Sequence, residues 1–181
     1  SVRGIVANYL GYKYTGIELR EEQVFSNIEQ GNVIVPNNVP EWICGDSEIM
    51  LRRMDRQFDF IFSCPPYFNL EVYSDLPNDL SNMQWNDFLY KYSTIIQYSI
   101  KLLKYGGYAC FVVGDIRDNH GFYYDFPGQT KTAFSKAGAK LYNDAVLLNV
   151  VGSASMRASK IFDAGKKLTK IHQNILVFKK I

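Results

Sequence analysis

The stretch that most constrains this chain is Phe58-Asp59-Phe60-Ile61-Phe62-Ser63-Cys64-Pro65-Pro66-Tyr67. Its apolar, aromatic-rich first half, with one Asp, reads as a buried strand. Two prolines then end it, because proline cannot donate to a ladder. The residue before a proline is driven to extended geometry, so Cys64 and Pro65 present their carbonyl oxygens in fixed directions. Tyr67 follows at once with a flat aromatic surface. The stretch predicts a rigid turn at the carboxyl end of a strand, the edge where open α/β sheets bind ligands. Such a turn suits a planar base whose exocyclic amine donates to a carbonyl and a small side chain while its ring stacks on Tyr67. Taken alone, it also fits an ordinary strand-ending Pro-Pro turn.

The rest of the composition bounds the problem. A chain of 181 residues fits one domain with a real core, and 47% hydrophobic with 15% aromatic residues excludes a disordered chain. A formal net charge of +2 does not mark a nucleic-acid binder, so any basic surface must be local. Cys44, Cys64 and Cys110 are widely spaced with no Cys-x-x-Cys pair, and read as reduced thiols of an intracellular protein. His120 and His172 do not complete a metal cluster with them, so no metal is expected. No apolar run approaches a membrane span and no leader peptide is read, so a cytoplasmic protein without membrane contact is expected.

Along the chain, Val2 to Leu10 reads as a short helix stopped by Gly11, and Tyr12 to Glu18 as a strand ending in an acid. Arg20 to Glu29 reads as a polar helix with Val24, Phe25 and Ile28 on one face. Asn32 to Pro40 is a loop, and Glu41 to Ser47 a short strand and turn. Asp46 or Ser47 is placed to cap a helix over Glu48 to Met54. Phe68 to Asn82 has no regular period, and loops of that length in compact domains are functional or disordered. Trp85 to Lys104 is the longest helix, with Trp85, Phe88, Leu89, Tyr92, Ile95, Ile96, Ser99, Ile100 and Leu103 on its core face and Gly106-Gly107 as its stop. Tyr108 to Gly114 reads as a central parallel strand. Asp115, Arg117 and Asp118 follow at its carboxyl end, either positioning a loop or forming an Asp–Arg pair. A helix over Pro127 to Ala137 is closed by Gly138. Lys140 to Val150 and Lys170 to Lys179 read as a closing antiparallel pair. The connection between them, from Gly152-Ser153-Ala154-Ser155 onward, carries Arg157, Lys160, Lys166, Lys167 and Lys170 against Asp163 alone. It is either a solvated hairpin or a phosphate-binding run whose affinity falls with salt.

Cys64-Pro65-Pro66-Tyr67 resembles the Asp/Asn/Ser-Pro-Pro-Tyr motif of amino-group DNA methyltransferases, which methylate N6 of adenine or N4 of cytosine. The chain departs from that motif at its first position, since a Cys side chain is a weaker acceptor than Asp, Asn or Ser. Glu18 resembles the strand-end acid that receives the ribose hydroxyls of the cofactor, a device shared with dinucleotide enzymes. Asp46 resembles the acid beside the cofactor's adenine amine. Val113-Gly114-Asp115-Ile116-Arg117 and the closing strand Gln173 to Phe178 also match, so the resemblance runs in order through nearly all 181 residues.

The resemblance implies an α/β Rossmann-like methyltransferase fold, mostly parallel with an antiparallel last strand. It makes residues 1–181 one catalytic domain lacking the first strand and the glycine-rich loop, with Ser1-Val2-Arg3-Gly4 similar to the tail of that loop. S-adenosylmethionine would be held by Glu18, Leu19, Asp46, Ser47 and Cys64. The catalytic turn would be Cys64, Pro65, Pro66 and Tyr67. Double-stranded DNA would be the partner, met through Arg157, Lys160, Lys166 and Lys167, with the target base flipped out in the manner of bacterial and phage modification enzymes. A segment ahead of Ser1, or a strand from a second copy, would complete the sheet between Tyr12–Glu18 and Phe58–Ser63.

Other readings remain at this point. Related amino-group enzymes act on RNA or on protein glutamine and also use Asn-Pro-Pro-Tyr. An inactive binding subunit of the same fold fits the Cys at position 64. The Pro-Pro-Tyr turn argues against a nucleotide-sugar or NAD enzyme. Cytosine-C5 methyltransferases carry a nucleophilic Cys after the proline, in Pro-Cys-Gln, so Cys64 does not read as a nucleophile.

Overall fold

Helices and strands alternate along the chain, the pattern that builds a parallel sheet covered by helices. The computed structural model describes residues 2–149 and 154–181. α1 (Val2–Tyr9) leads to β1 (Thr15–Glu18), α2 (Glu21–Ile34), β2 (Glu41–Cys44), α3 (Ser47–Arg53) and β3 (Phe58–Ser63). A long loop with a single 3-10 turn at Leu80–Asn82 precedes α4 (Trp85–Leu102) and β4 (Leu103–Val113). α5 (Phe126–Lys136), β5 (Ala139–Leu148), α6 (Ala154–Gly165) and β6 (His172–Lys180) complete the order.

The strands form two groups. β1 and β2 pair in parallel, with Glu18 opposite Cys44. A separate sheet has the order β3-β4-β6-β5. β3 and β4 are parallel, while β6 runs antiparallel to both its neighbours. The single reversed strand at the end agrees with the expected topology. Among the described residues β1 and β3 share no ladder, so each has one unpaired edge. The Arg3 guanidinium lies 5.5 Å over the Phe62 ring and brings α1 against β3.

The core lies between α4, α5 and the larger sheet. Phe88, Tyr92, Ile96, Ile100 and Leu103 are buried, as their helical spacing requires. Each fully buried side chain of this size contributes about 1.5–3 kcal/mol relative to exposure. Phe134 stacks on Phe178 at 3.8 Å, fastening α5 to β6. The buried Tyr92 hydroxyl meets Thr130 Oγ1 at 3.1 Å, so its polar end is satisfied. No described helix is long and apolar enough to cross a membrane.

Several local expectations are corrected. Gly106-Gly107 does not stop α4: the helix ends at Leu102, and the backbone is already extended at Leu103. Gly106, at φ 76°, falls inside β4 where the pairing with β3 shifts register, so its conformational freedom serves a strand irregularity. β1 begins at Thr15 rather than Tyr12, and α2 continues to Ile34, into the expected loop. On α2 only Val24 of the three apolar residues is buried, while Phe25 is 64% exposed. β5 and β6 pair antiparallel as the expected closing pair, and the basic connection between them carries a helix, α6, followed by Lys166, Lys167 and Lys170; Val150, Gly152 and Ser153 lie outside the described residues.

Candidate active site

The carboxyl ends of β1, β2 and β3 open onto one cavity of about 880 Å3. Glu18 and Leu19 enter it from the end of β1, Asp46 and Ser47 from the turn after β2. Cys64, Pro65, Pro66 and Tyr67 enter it from the turn after β3. Every residue expected to hold a cofactor or to do chemistry therefore lines the same space. Arg157, Lys160, Lys166 and Lys167 do not line it; they lie on and just after α6.

The Pro-Pro-Tyr turn is aimed by packing. Tyr67 is half-buried, its ring edge-on to Phe126 at 6.2 Å between centroids. Gly114 at the end of β4 lets that ring approach: a Cβ there would sit 3.0 Å from Tyr67 Cε2. The Tyr67 hydroxyl donates to Val112 O at 3.4 Å and also lies 3.6 Å from Cys64 Sγ. Burial, and then the neighbouring Cys64, push the Tyr67 phenol far above its ordinary range. Phe68 then takes a left-handed φ of 54°. That conformation costs a non-glycine residue about 1–3 kcal/mol. It is held because the Phe68 ring is buried among Trp85, Phe88 and Tyr124, at 5.3 to 5.6 Å.

Asp46 is held from three sides. One carboxyl oxygen caps α3 by accepting from Glu48 N–H at 2.9 Å. The other accepts from Lys91 Nζ of α4 and from Asn78 Nδ2 at 3.2 Å. Lys91 also donates to Asn78 O at 3.1 Å. Burial by itself would raise the Asp46 carboxyl, but the bonds from Lys91, Glu48 and Asn78 and the Lys91 charge outweigh it and hold the group below its ordinary value. Glu18 Oε1 accepts from Arg20 N–H at 3.1 Å.

The loop between β3 and α4 is pinned rather than loose. Asp79 accepts from Ser74 Oγ at 2.7 Å, and from the Ser81 N–H and hydroxyl at 2.9 and 2.7 Å. Burial raises the Asp79 carboxyl, and these bonds outweigh it and lower the group. Asn82 donates to Ser74 O and Leu76 O at 2.7 and 3.0 Å. Glu71, Tyr73, Asn78 and Asp79 from this loop line the cavity.

Asp115 and Arg117 form no ion pair. Asp115 accepts from Ile116 N–H at 3.0 Å and Phe126 N–H at 3.3 Å, setting the start of α5. Arg117 turns to the Tyr123 ring instead. The residues missed by the sequence reading are Lys91 and Asn78. For Lys91 a signal existed: a cation at the border of the apolar stripe of a buried helix asks for a buried partner.

No family model matches the chain, and no curated protein matches it. Solved structures do. One is a Thermus thermophilus protein described as a proposed DNA modification methylase, complexed with S-adenosyl-L-methionine: TM-score 0.55, 18% identity, 75% of this chain and 53% of that one. The chain thus spans about half the length of that structure. TrmN from Thermus thermophilus matches at TM-score 0.62 and 15% identity, over 97% of this chain and 39% of that one. Magnesium protoporphyrin IX methyltransferase from Synechocystis, with bound SAH, matches at TM-score 0.61 and 10% identity, over 98% and 68%. The fold is the Rossmann-like α/β fold of S-adenosylmethionine-dependent methyltransferases. That fold hosts many substrates, so the substrate must be argued from the site.

Proposed function

We propose that this domain transfers a methyl group from S-adenosylmethionine to the exocyclic amine of adenine (N6) or cytosine (N4) in double-stranded DNA. The observation that carries the reading is that one cavity is lined by Glu18, Asp46 and the whole Cys64-Pro65-Pro66-Tyr67 turn. Its volume of about 880 Å3 lies in the range of small-molecule sites. The donor and acceptor set fits the cofactor. Among the described residues Glu18 Oε2 has no partner, so it is available to ribose hydroxyls, while Asp46 lines the same space with its carboxylate already bonded to Glu48, Lys91 and Asn78. Leu19 and Ser47 line the space beside them.

When bound, the cofactor supplies an electrophilic methyl on its sulfonium. The chain's own part is to bind and orient. Tyr67 gives the extruded base a stacking surface. The Pro65 carbonyl and Cys64 accept from the amine and turn its nitrogen lone pair toward the methyl. Alignment of this kind can supply about 7–11 kcal/mol of the barrier. Extruding the base costs a few kcal/mol.

The test is transfer of labelled methyl from S-adenosylmethionine to duplex DNA, followed by nucleoside analysis. N6-methyladenine or N4-methylcytosine is the expected product. C5-methylcytosine, or label in protein alone, would overturn the reading.

A further inference from the structure

We propose that the turn from Arg117 to Tyr123, with Lys167 and Lys170, is the surface that holds the duplex DNA beside the extruded target base. This inference rests on the reading of a DNA base as substrate, and it names a surface outside the cavity.

The turn is built firmly. Arg117 and Tyr123 form an antiparallel bridge. Asp118 Oδ1 accepts from His120 N–H at 2.9 Å and Phe122 N–H at 2.8 Å, so this carboxylate is engaged in the turn itself. Arg117 donates to Gly121 O at 2.6 Å, and its guanidinium lies 3.7 Å over the Tyr123 ring. Lys170 Nζ comes from the segment before β6 and lies 5.7 Å from the centre of the same ring. Lys167 lies against the turn as well: a Cβ on Gly121 would come within 2.8 Å of its Cε. Two segments far apart in sequence therefore bring three cations onto one aromatic turn.

The fold leaves that turn uncovered. Phe122 is 72% exposed and Tyr123 44% exposed. Exposed rings beside cations suit DNA distorted by an extruded base, the cations meeting phosphates and the uncovered Phe122 ring packing on the step that extrusion unstacks. An acidic peptide would use the cations and leave the rings idle. The position also fits. Tyr124 packs on Phe68 at 5.5 Å, and Phe126 meets Tyr67 edge-on at 6.2 Å. The segment that continues from the patch thus packs beside the Pro-Pro-Tyr turn, near which the DNA on either side of an extruded base must run.

The experiment uses the full chain and a short dye-labelled duplex DNA. Anisotropy is read over a salt series for Phe122→Ala and Lys170→Gln. Phe122 is so exposed that its loss leaves the fold intact, as a thermal melt verifies. Each variant is expected to bind about tenfold more weakly. Lys170→Gln should also reduce the slope of log affinity against log salt by about 0.9, the value for one duplex phosphate. Unchanged binding in both variants overturns the proposal, and so does tighter binding of the same sequence as RNA. Methyl transfer is measured in parallel. Weakened binding without any methylated base leaves this surface standing and removes the transfer reading. Methylated bases with unchanged binding do the reverse.

Discussion

Lys91 and Asp46 meet in a nearly closed ion pair, with side chains only 13% and 8% exposed. The contact spans 45 residues and ties the cap of α3 to the longest helix. Asn78 joins both partners, so the loop after Pro-Pro-Tyr is fastened to the same point. Breaking one side of a buried pair leaves an uncompensated charge, at a cost of about 3–5 kcal/mol. Lys91→Met is therefore expected to destabilise the protein by that order, while Lys91→Met with Asp46→Asn costs clearly less. Urea unfolding of both variants checks this; additive losses would show that the two residues do not act as a pair.

The same pair gives a pH dependence. The folded-state carboxyls of Asp46 and Asp79 lie below their ordinary value. A depressed carboxyl contributes stability above its unfolded pKa of about 3.9, and that contribution is lost as pH falls through the folded value. Urea midpoints should therefore fall on acidification below about pH 4, and fall less steeply in Asp46→Asn. Equal slopes in the two proteins would remove Asp46 from the account.

Gly114 and Tyr67 offer a test of the proposed catalytic turn. A methyl at Gly114 must push the Tyr67 ring, since the gap is 3.0 Å. Gly114→Ala is expected to lower methyl transfer while the fold survives. Tyr67→Ala should lose the stacking surface, worth about 1–3 kcal/mol per base. Cys64→Ser should keep or raise transfer, because a hydroxyl is the better acceptor. Loss of transfer in Cys64→Ser, with a covalent base adduct in the wild type, would make Cys64 the nucleophile.

The unpaired edges of β1 and β3 make a further prediction. Unpaired backbone groups in a sheet invite another strand. Phe60 and Phe62 on β3 are 53% and 42% exposed, so apolar surface accompanies the edge. We propose that an extended segment pairs there, from the same polypeptide or from a second copy. Hydrogen exchange in residues 1–181 alone should show fast amides along one side of Thr15–Glu18 and Phe58–Ser63, slowed when that segment is supplied. A monomer of these residues with every such amide protected would contradict the proposal.

The sequence by itself determined the alternation of elements, the reversed last strand and the turn at Cys64 to Tyr67. These rest on local rules: apolar period, proline geometry and glycine stops act within a few residues. It was enough to offer Asp46 or Ser47 as a helix cap and to mark Glu18, though not to choose between the two caps or to show that Glu18 and Asp46 share a cavity. Tertiary structure decided that Lys91 and Asn78 reach Asp46, that Gly114 seats Tyr67, and that Arg117 leaves Asp115 for Tyr123. It also placed a helix, α6, inside the basic connection of the β5–β6 pair. Each of these depends on which distant segments pack together. A side chain's partner in space is set by the burial of the whole core, and no window of neighbouring residues contains that information.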